Sequence, residues 1–246
     1  LRIDTIHAFA QWLLAAFPEE AGLIPGTRPM EDRDRALLAR RVLADLVTGW
    51  EDTGDKAAIG ALEMLSVRLG EEKARGWLMR CAEAREAWFG PGGWQPPMRG
   101  RVESLLGLKE GMGEAQLAVL TSDEVFDCVA LGRCRDAHTA WGTKTGRECA
   151  EAIEAWLASE DRLAASDALC KALFTQKGEP RSLKSVEKHD PDYAEAIGAV
   201  QTCLRAIADL RALIGLADYV TPALEIGRKF ALAWDEAKQR EGLIDF

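Results

Sequence analysis

Apolar residues recur every three or four positions along most of this chain, the spacing that lines them up on one face of a helix. Ile3, Ile6, Phe9, Leu13 and Phe17 form the first stripe, and Pro18 ends it. A second runs through Leu38, Val42 and Leu46 and stops near Gly49. Ile59, Leu62, Leu65 and Leu69 make a third, with Gly70 as its C-terminal stop. The fourth carries Ala74, Trp77, Leu78, Cys81 and Trp88 up to Gly90. The Gly/Pro-rich segment 90–97 can hold neither a helix nor a central strand and reads as a loop. Helices are predicted at 101–108, 114–120, 123–140, 146–158 and 161–174, with an extended loop over 175–191. Asp192 is placed to cap a long helix bearing Tyr193, Ile197, Val200, Leu204, Ile207 and Ile214. Thr221-Pro222 reads as a cap followed by proline in the first turn of a last helix, which ends at Gly242. No stretch alternates as a strand would, so the predicted fold is all-α, an irregular multi-helix domain.

The chain has 246 residues, 48% hydrophobic and 29% charged, enough apolar material for a core that needs no disulfide or metal. The six cysteines form no C-x-x-C pair and are scattered through helical patterns, as reduced thiols of a cytoplasmic protein are. No apolar run approaches the roughly 18 residues that span a bilayer, and no membrane role is expected. There is no basic-then-apolar leader. A start at Leu1 and a stop at Phe246 fit a segment excised from a longer protein. The net charge of -9 argues against a surface that is basic throughout, so any contact with nucleic acid must be local.

Three segments carry a resemblance. Thr5-Ile6-His7-Ala8-Phe9 is followed by Phe17-Pro18-Glu19-Glu20-Ala21-Gly22. The segment Leu173-Phe174-Thr175-Gln176-Lys177-Gly178-Glu179-Pro180-Arg181 stands two-thirds along. The chain closes on Lys238-Gln239-Arg240-Glu241-Gly242-Leu243-Ile244-Asp245-Phe246. Together they resemble superfamily 1 DNA helicases of the UvrD/Rep type, and within them the AddA-type helicase–nuclease subunit of bacterial double-strand-break repair. There a Thr-x-His-x-Phe motif closes one stretch of the motor core, and a later stretch reopens it after a helical insertion called subdomain 1B.

The resemblance implies a motor-core stub over 1–24, a 1B-like helical subdomain over 25–220, and a returning helix with the start of motor core over 221–246. It implies chain ends that lie close together. It places Thr5, His7 and Phe9 beside a single-stranded DNA track. It also implies ATP and Mg in the parent enzyme but no cofactor in this fragment, DNA and an AddB-like subunit as partners, and a cytoplasmic, nucleoid-associated setting. Ala10 departs from the family's frequent cysteine. The acidic continuation that the family shows after the closing stretch is absent here.

Between Lys171 and Lys188 stand five basic residues, Lys171, Lys177, Arg181, Lys184 and Lys188, against two acidic ones, Glu179 and Glu187. Clustered cations can displace the counterions condensed on DNA, which makes Lys177, Arg181 and Lys184 candidate phosphate contacts. A solvated loop whose lysines do nothing accounts for the pattern equally well.

Other motifs point away from chemistry. Cys128, Cys134, His138 and Cys149 are spaced unlike a structural zinc site. Gly142-Thr143-Lys144-Thr145-Gly146 lacks the full phosphate-loop pattern and reads as a polar turn. No Ser-His-Asp set and no acid/base pair stands out, so no catalytic residue is assigned. Trp94, in the Gly/Pro loop, fits a ring folded over the core better than one stacking on a base. The expected function is therefore a DNA-binding, positioning arm without catalysis of its own. The alternative is a helical scaffold that docks a partner subunit, and it predicts a contiguous exposed apolar patch.

Overall fold

A computed structural model describes residues 6–17, 20 and 26–244. Among the described residues helices account for 74%, and the two strands are two residues each, so the fold is all-α. No helix among the described residues is long and apolar enough to cross a membrane. The chain divides into two compact units, residues 1–102 with 217–246, and residues 103–216.

The first unit holds α1 (Ile6–Ala16), β1 (Arg28–Pro29), α2 (Asp32–Thr53), α3 (Lys56–Leu69), α4 (Glu71–Glu83), α5 (Arg85–Phe89) and most of α6 (Arg99–Leu105). Gly49 does not end α2. The helix continues to Thr53, burying Trp50, and stops where Gly54 turns left-handed at φ 69°. Gly54 sets that turn because residues with a Cβ are disfavoured there. Asp55 then caps α3 by accepting a 3.1 Å hydrogen bond from the Ala58 amide. The fourth predicted helix is broken in two at Ala84, whose ψ of 46° leaves the helical region. The Trp88 indole donates back across the break to the Cys81 carbonyl at 2.6 Å.

The core of this unit joins Leu38, Leu65 and Leu78 to Ile226, Phe230 and Trp234 of a long helix. Trp94 packs on a satellite cluster of Cys81, Trp88, Met98 and Ala231, with the Arg101 guanidinium 4.4 Å from its ring centre. The loop tryptophan is thus folded over apolar side chains.

The second unit holds the end of α6, then α7 (Glu114–Val119), α8 (Cys128–Trp141), α9 (Lys144–Ala158), α10 (Arg162–Leu173) and α11 (Leu183–Val186). Asp127, Thr143 and Asp161 cap α8, α9 and α10 through side-chain oxygens. The 142–146 turn does two jobs: Gly142 ends α8 in the left-handed region and Thr143 starts α9. At Gly146 the two helices close up, because a Cβ there would stand 2.6 Å from the His138 carbonyl oxygen. Leu131, Ile153, Trp156, Leu169 and Val200 are fully buried.

α12 (Tyr193–Glu241) contributes its first part to the second unit and the remainder to the first. The expected helix start at Thr221-Pro222 is not there, since Pro222 lies inside one continuous helix. The apolar stripe runs through it without a break, with Ala217, Ala223, Ile226 and Phe230 all buried, and that burial outweighs the missing proline amide. Asp192 spends its carboxylate on Arg133, 2.7 Å away.

After α12 the chain returns to its early part. β2 (Leu243–Ile244) pairs in parallel with β1, Arg28 opposite Leu243, through amide bonds from Arg28 to Gly242 and from Met30 to Ile244. Two residues are too few to show alternation, so this pair leaves no strand signal in the sequence. Ile3 lies outside the described residues.

Candidate nucleic-acid interface

The basic segment of the second unit is a built turn. α10 stops at Leu173, and Phe174 pairs with Pro180 across an antiparallel bridge. The Thr175 amide donates to the Glu179 carbonyl at 2.8 Å, the Gly178 amide to the Thr175 carbonyl at 2.9 Å, and the Arg181 amide to the Leu173 carbonyl at 2.8 Å. Gly178 takes a left-handed φ of 76°, which lets the tip close without Cβ strain. The Gln201 carboxamide of α12 holds the Gly178 carbonyl. Val186, wholly buried, anchors α11 just beyond the turn. The expected extended loop is therefore a closed tip followed by one helical turn.

This scaffold presents Lys177 at the tip, Arg181 at the base and Lys184 on α11, all exposed. Arg181 is also structural: its Nε donates to the Phe174 carbonyl at 2.8 Å.

The charge arrangement around the turn is uneven. Several arginines elsewhere in the unit are matched with acids. Arg162 pairs with Asp123 at 2.5 Å, Arg211 with Asp167 at 3.0 Å, and Arg133 with both Asp190 and Asp192. Among the described residues, Lys171, Lys177, Lys184, Lys188 and Arg205 form no ion pair. Arg133 matters here, because it engages the two carboxylates that directly follow the basic segment. Its hydrogen bond to Asp190 holds that carboxyl below the usual carboxylate range. Glu179 and Glu187 remain the acids within the segment.

Lys171, Arg181 and Arg205 also border an open groove of about 280 Å³ floored by Phe174, Leu204 and Ala208. Sequence reading did not single out Arg205. Its spacing of four residues from Gln201 on α12 was the available signal, readable only once Gln201 is known to touch the turn.

The second set of predicted contacts belongs to the first unit. Thr5 lies outside the described residues, and His7 falls on α1. Phe9 is 56% exposed and stacks beside Trp12, itself 59% exposed, with ring centres 6.1 Å apart. Ile6, Leu13 and Phe17 are exposed on the same helix and its end, so an apolar stripe lies open.

The cysteine and histidine positions weighed as ligands go elsewhere. His138 meets the Tyr193 hydroxyl, the Cys149 thiol donates to the Ala172 carbonyl at 3.3 Å, and the Cys128 thiol to Asp123 at 3.3 Å. Burial pushes the Cys134 thiol up to about 12, so it carries no thiolate at neutral pH.

No family model matches the chain, and no curated protein is significantly similar to it.

Proposed function

We propose that this chain is a DNA-positioning helical arm of an ATP-dependent helicase–nuclease of the AddA type, acting in double-strand-break repair. In this reading it performs no reaction itself. ATP and Mg are used by the parent motor, and an AddB-like subunit is its protein partner. The observation that carries the reading is the group of unpaired cations held on a hydrogen-bonded turn, in a chain whose net charge is -9. A phosphate backbone supplies the counter-charges that these cations do not find within the unit. The pairing of β1 with β2 supports it further, because an inserted arm must leave and re-enter its parent at neighbouring points.

The test is a salt-titrated binding assay with single-stranded oligonucleotides. Lys177→Ala with Lys184→Ala weakens binding about equally for all base sequences. It also flattens the slope of log K against log salt by about 0.7 for each phosphate contact removed. Equal binding by the double variant and the parent across the salt series sinks the reading.

The scaffold alternative has its own observation, the exposed stripe of Ile6, Phe9, Trp12 and Leu13 on α1. If that stripe carries the function, serine at Phe9 and Trp12 abolishes association with an AddB-like partner and leaves the DNA assay unchanged.

A further inference from the structure

From the groove beside the basic turn we infer a subsite for one unstacked base of a single strand, with its flanking phosphates held on the rim. The inference rests on the DNA-binding reading above. The groove lies wholly within the second unit, between the end of α10, the turn and α12. Its volume of about 280 Å³ is at the small end for a ligand cleft, suited to one ring system and not to a folded segment.

The walls divide by chemistry. Phe174, Leu204, Ala208 and Cys170 supply an apolar floor. The charged residues lining the groove are all cations: Lys171, Arg181 and Arg205. No carboxylate lines it, although acids outnumber bases in the chain, 40 to 31. The occupant must therefore combine an apolar body with negative charge at its edge.

A nucleotide fits both halves. Guanidinium groups bind phosphate oxygens through paired donors, and Arg181 and Arg205 line the groove without a partner acid. Gln176 and Gln201 add carboxamides at the same rim. Gln201 uses one amide hydrogen on the Gly178 carbonyl, and its remaining donor and acceptor can meet the edge of a base. An acidic peptide would satisfy the cations but has no planar ring edge for the two carboxamides to read. The groove is also built before any ligand arrives. Arg181 is held by its hydrogen bond to the Phe174 carbonyl, and the groove wall by the one from Gln201 to Gly178.

The experiment compares two oligonucleotides of equal length and phosphate number, one with normal bases and one with abasic sites, binding to the whole 246-residue chain. The normal strand binds about tenfold more tightly, the scale of one sequestered base, and both show the same salt slope. Ala208→Trp, at an exposed helical position, fills the groove and removes that difference. Ala208→Leu, a smaller change on the same face, removes part of it, so the result does not hang on one variant. Circular dichroism verifies that both variants keep the parent's helix content. Equal binding of the two strands overturns the base subsite and leaves the DNA-binding reading standing. Absence of binding by either strand at low salt overturns both. Displacement of neither strand but tight binding of a glutamate- and leucine-containing peptide, lost in Ala208→Trp, also overturns it, in favour of a protein partner.

Discussion

The His138 imidazole and the Tyr193 phenol meet edge-on inside the second unit, Nε2 2.9 Å from the hydroxyl oxygen and the rings at 88°. Both side chains are buried, and His138 Nδ1 has no hydrogen-bond partner. Desolvation lowers the His138 pKa below its ordinary value. The unfolded chain therefore binds this proton more readily than the folded one. Stability is retained above the ordinary histidine pKa and falls as pH drops below it. Urea melts from pH 7.5 to 5 will show declining stability, and His138→Gln will reduce the decline. Tyr193→Phe strands the ring nitrogen and costs about 1–3 kcal/mol at neutral pH.

Gly227 has no room for a side chain. A Cβ there would stand 2.5 Å from the Cys81 sulfur and 3.1 Å from its Cβ. Gly227→Ala should lower stability by about 1–3 kcal/mol through overpacking, despite the better helix propensity of alanine. Adding Cys81→Ala should restore much of the loss. Purely additive losses in the double variant, measured by thermal melting, would show that the clash is relieved some other way.

Pro222 withholds the amide that would bond to the Asp218 carbonyl within α12. Asp218 is exposed, so water can satisfy that carbonyl. Pro222→Ala should then raise stability, by on the order of 2 kcal/mol. An unchanged or lowered melting temperature would mean that the proline ring contributes packing that offsets the lost bond.

Arg181 and the two lysines should separate in assay. Arg181→Ala removes the hydrogen bond to the Phe174 carbonyl as well as a cation, so it costs about 1–2 kcal/mol of stability together with DNA affinity. Lys177→Ala and Lys184→Ala leave stability within about 0.5 kcal/mol and lower affinity only. Identical melting curves for all three variants would argue that the turn does not depend on Arg181.

The periodic stripes made most helices legible. Leu65 with Gly70, Ile153 with Trp156, and Ile226 with Trp234 repeat at the spacing that burial demands, and a helix records its own face in its sequence. Ends were read less well. Gly49 looked like a stop and Ala84 did not, because a terminus is set by whether neighbouring turns find partners as well as by the residue at the boundary.

The sequence alone determined the all-α class, the scatter of the cysteines without a C-x-x-C pair, and the existence of a local basic segment in an acidic chain. Each of these depends on neighbours a few residues apart. Tertiary structure decided the rest. It carried α12 through Pro222, brought Arg28 beside Leu243, and used Arg133 to engage Asp190 and Asp192. It also set Arg205 and Gln201 against a turn more than 20 residues earlier. Those outcomes turn on contacts between distant residues, whose free energies no local pattern encodes.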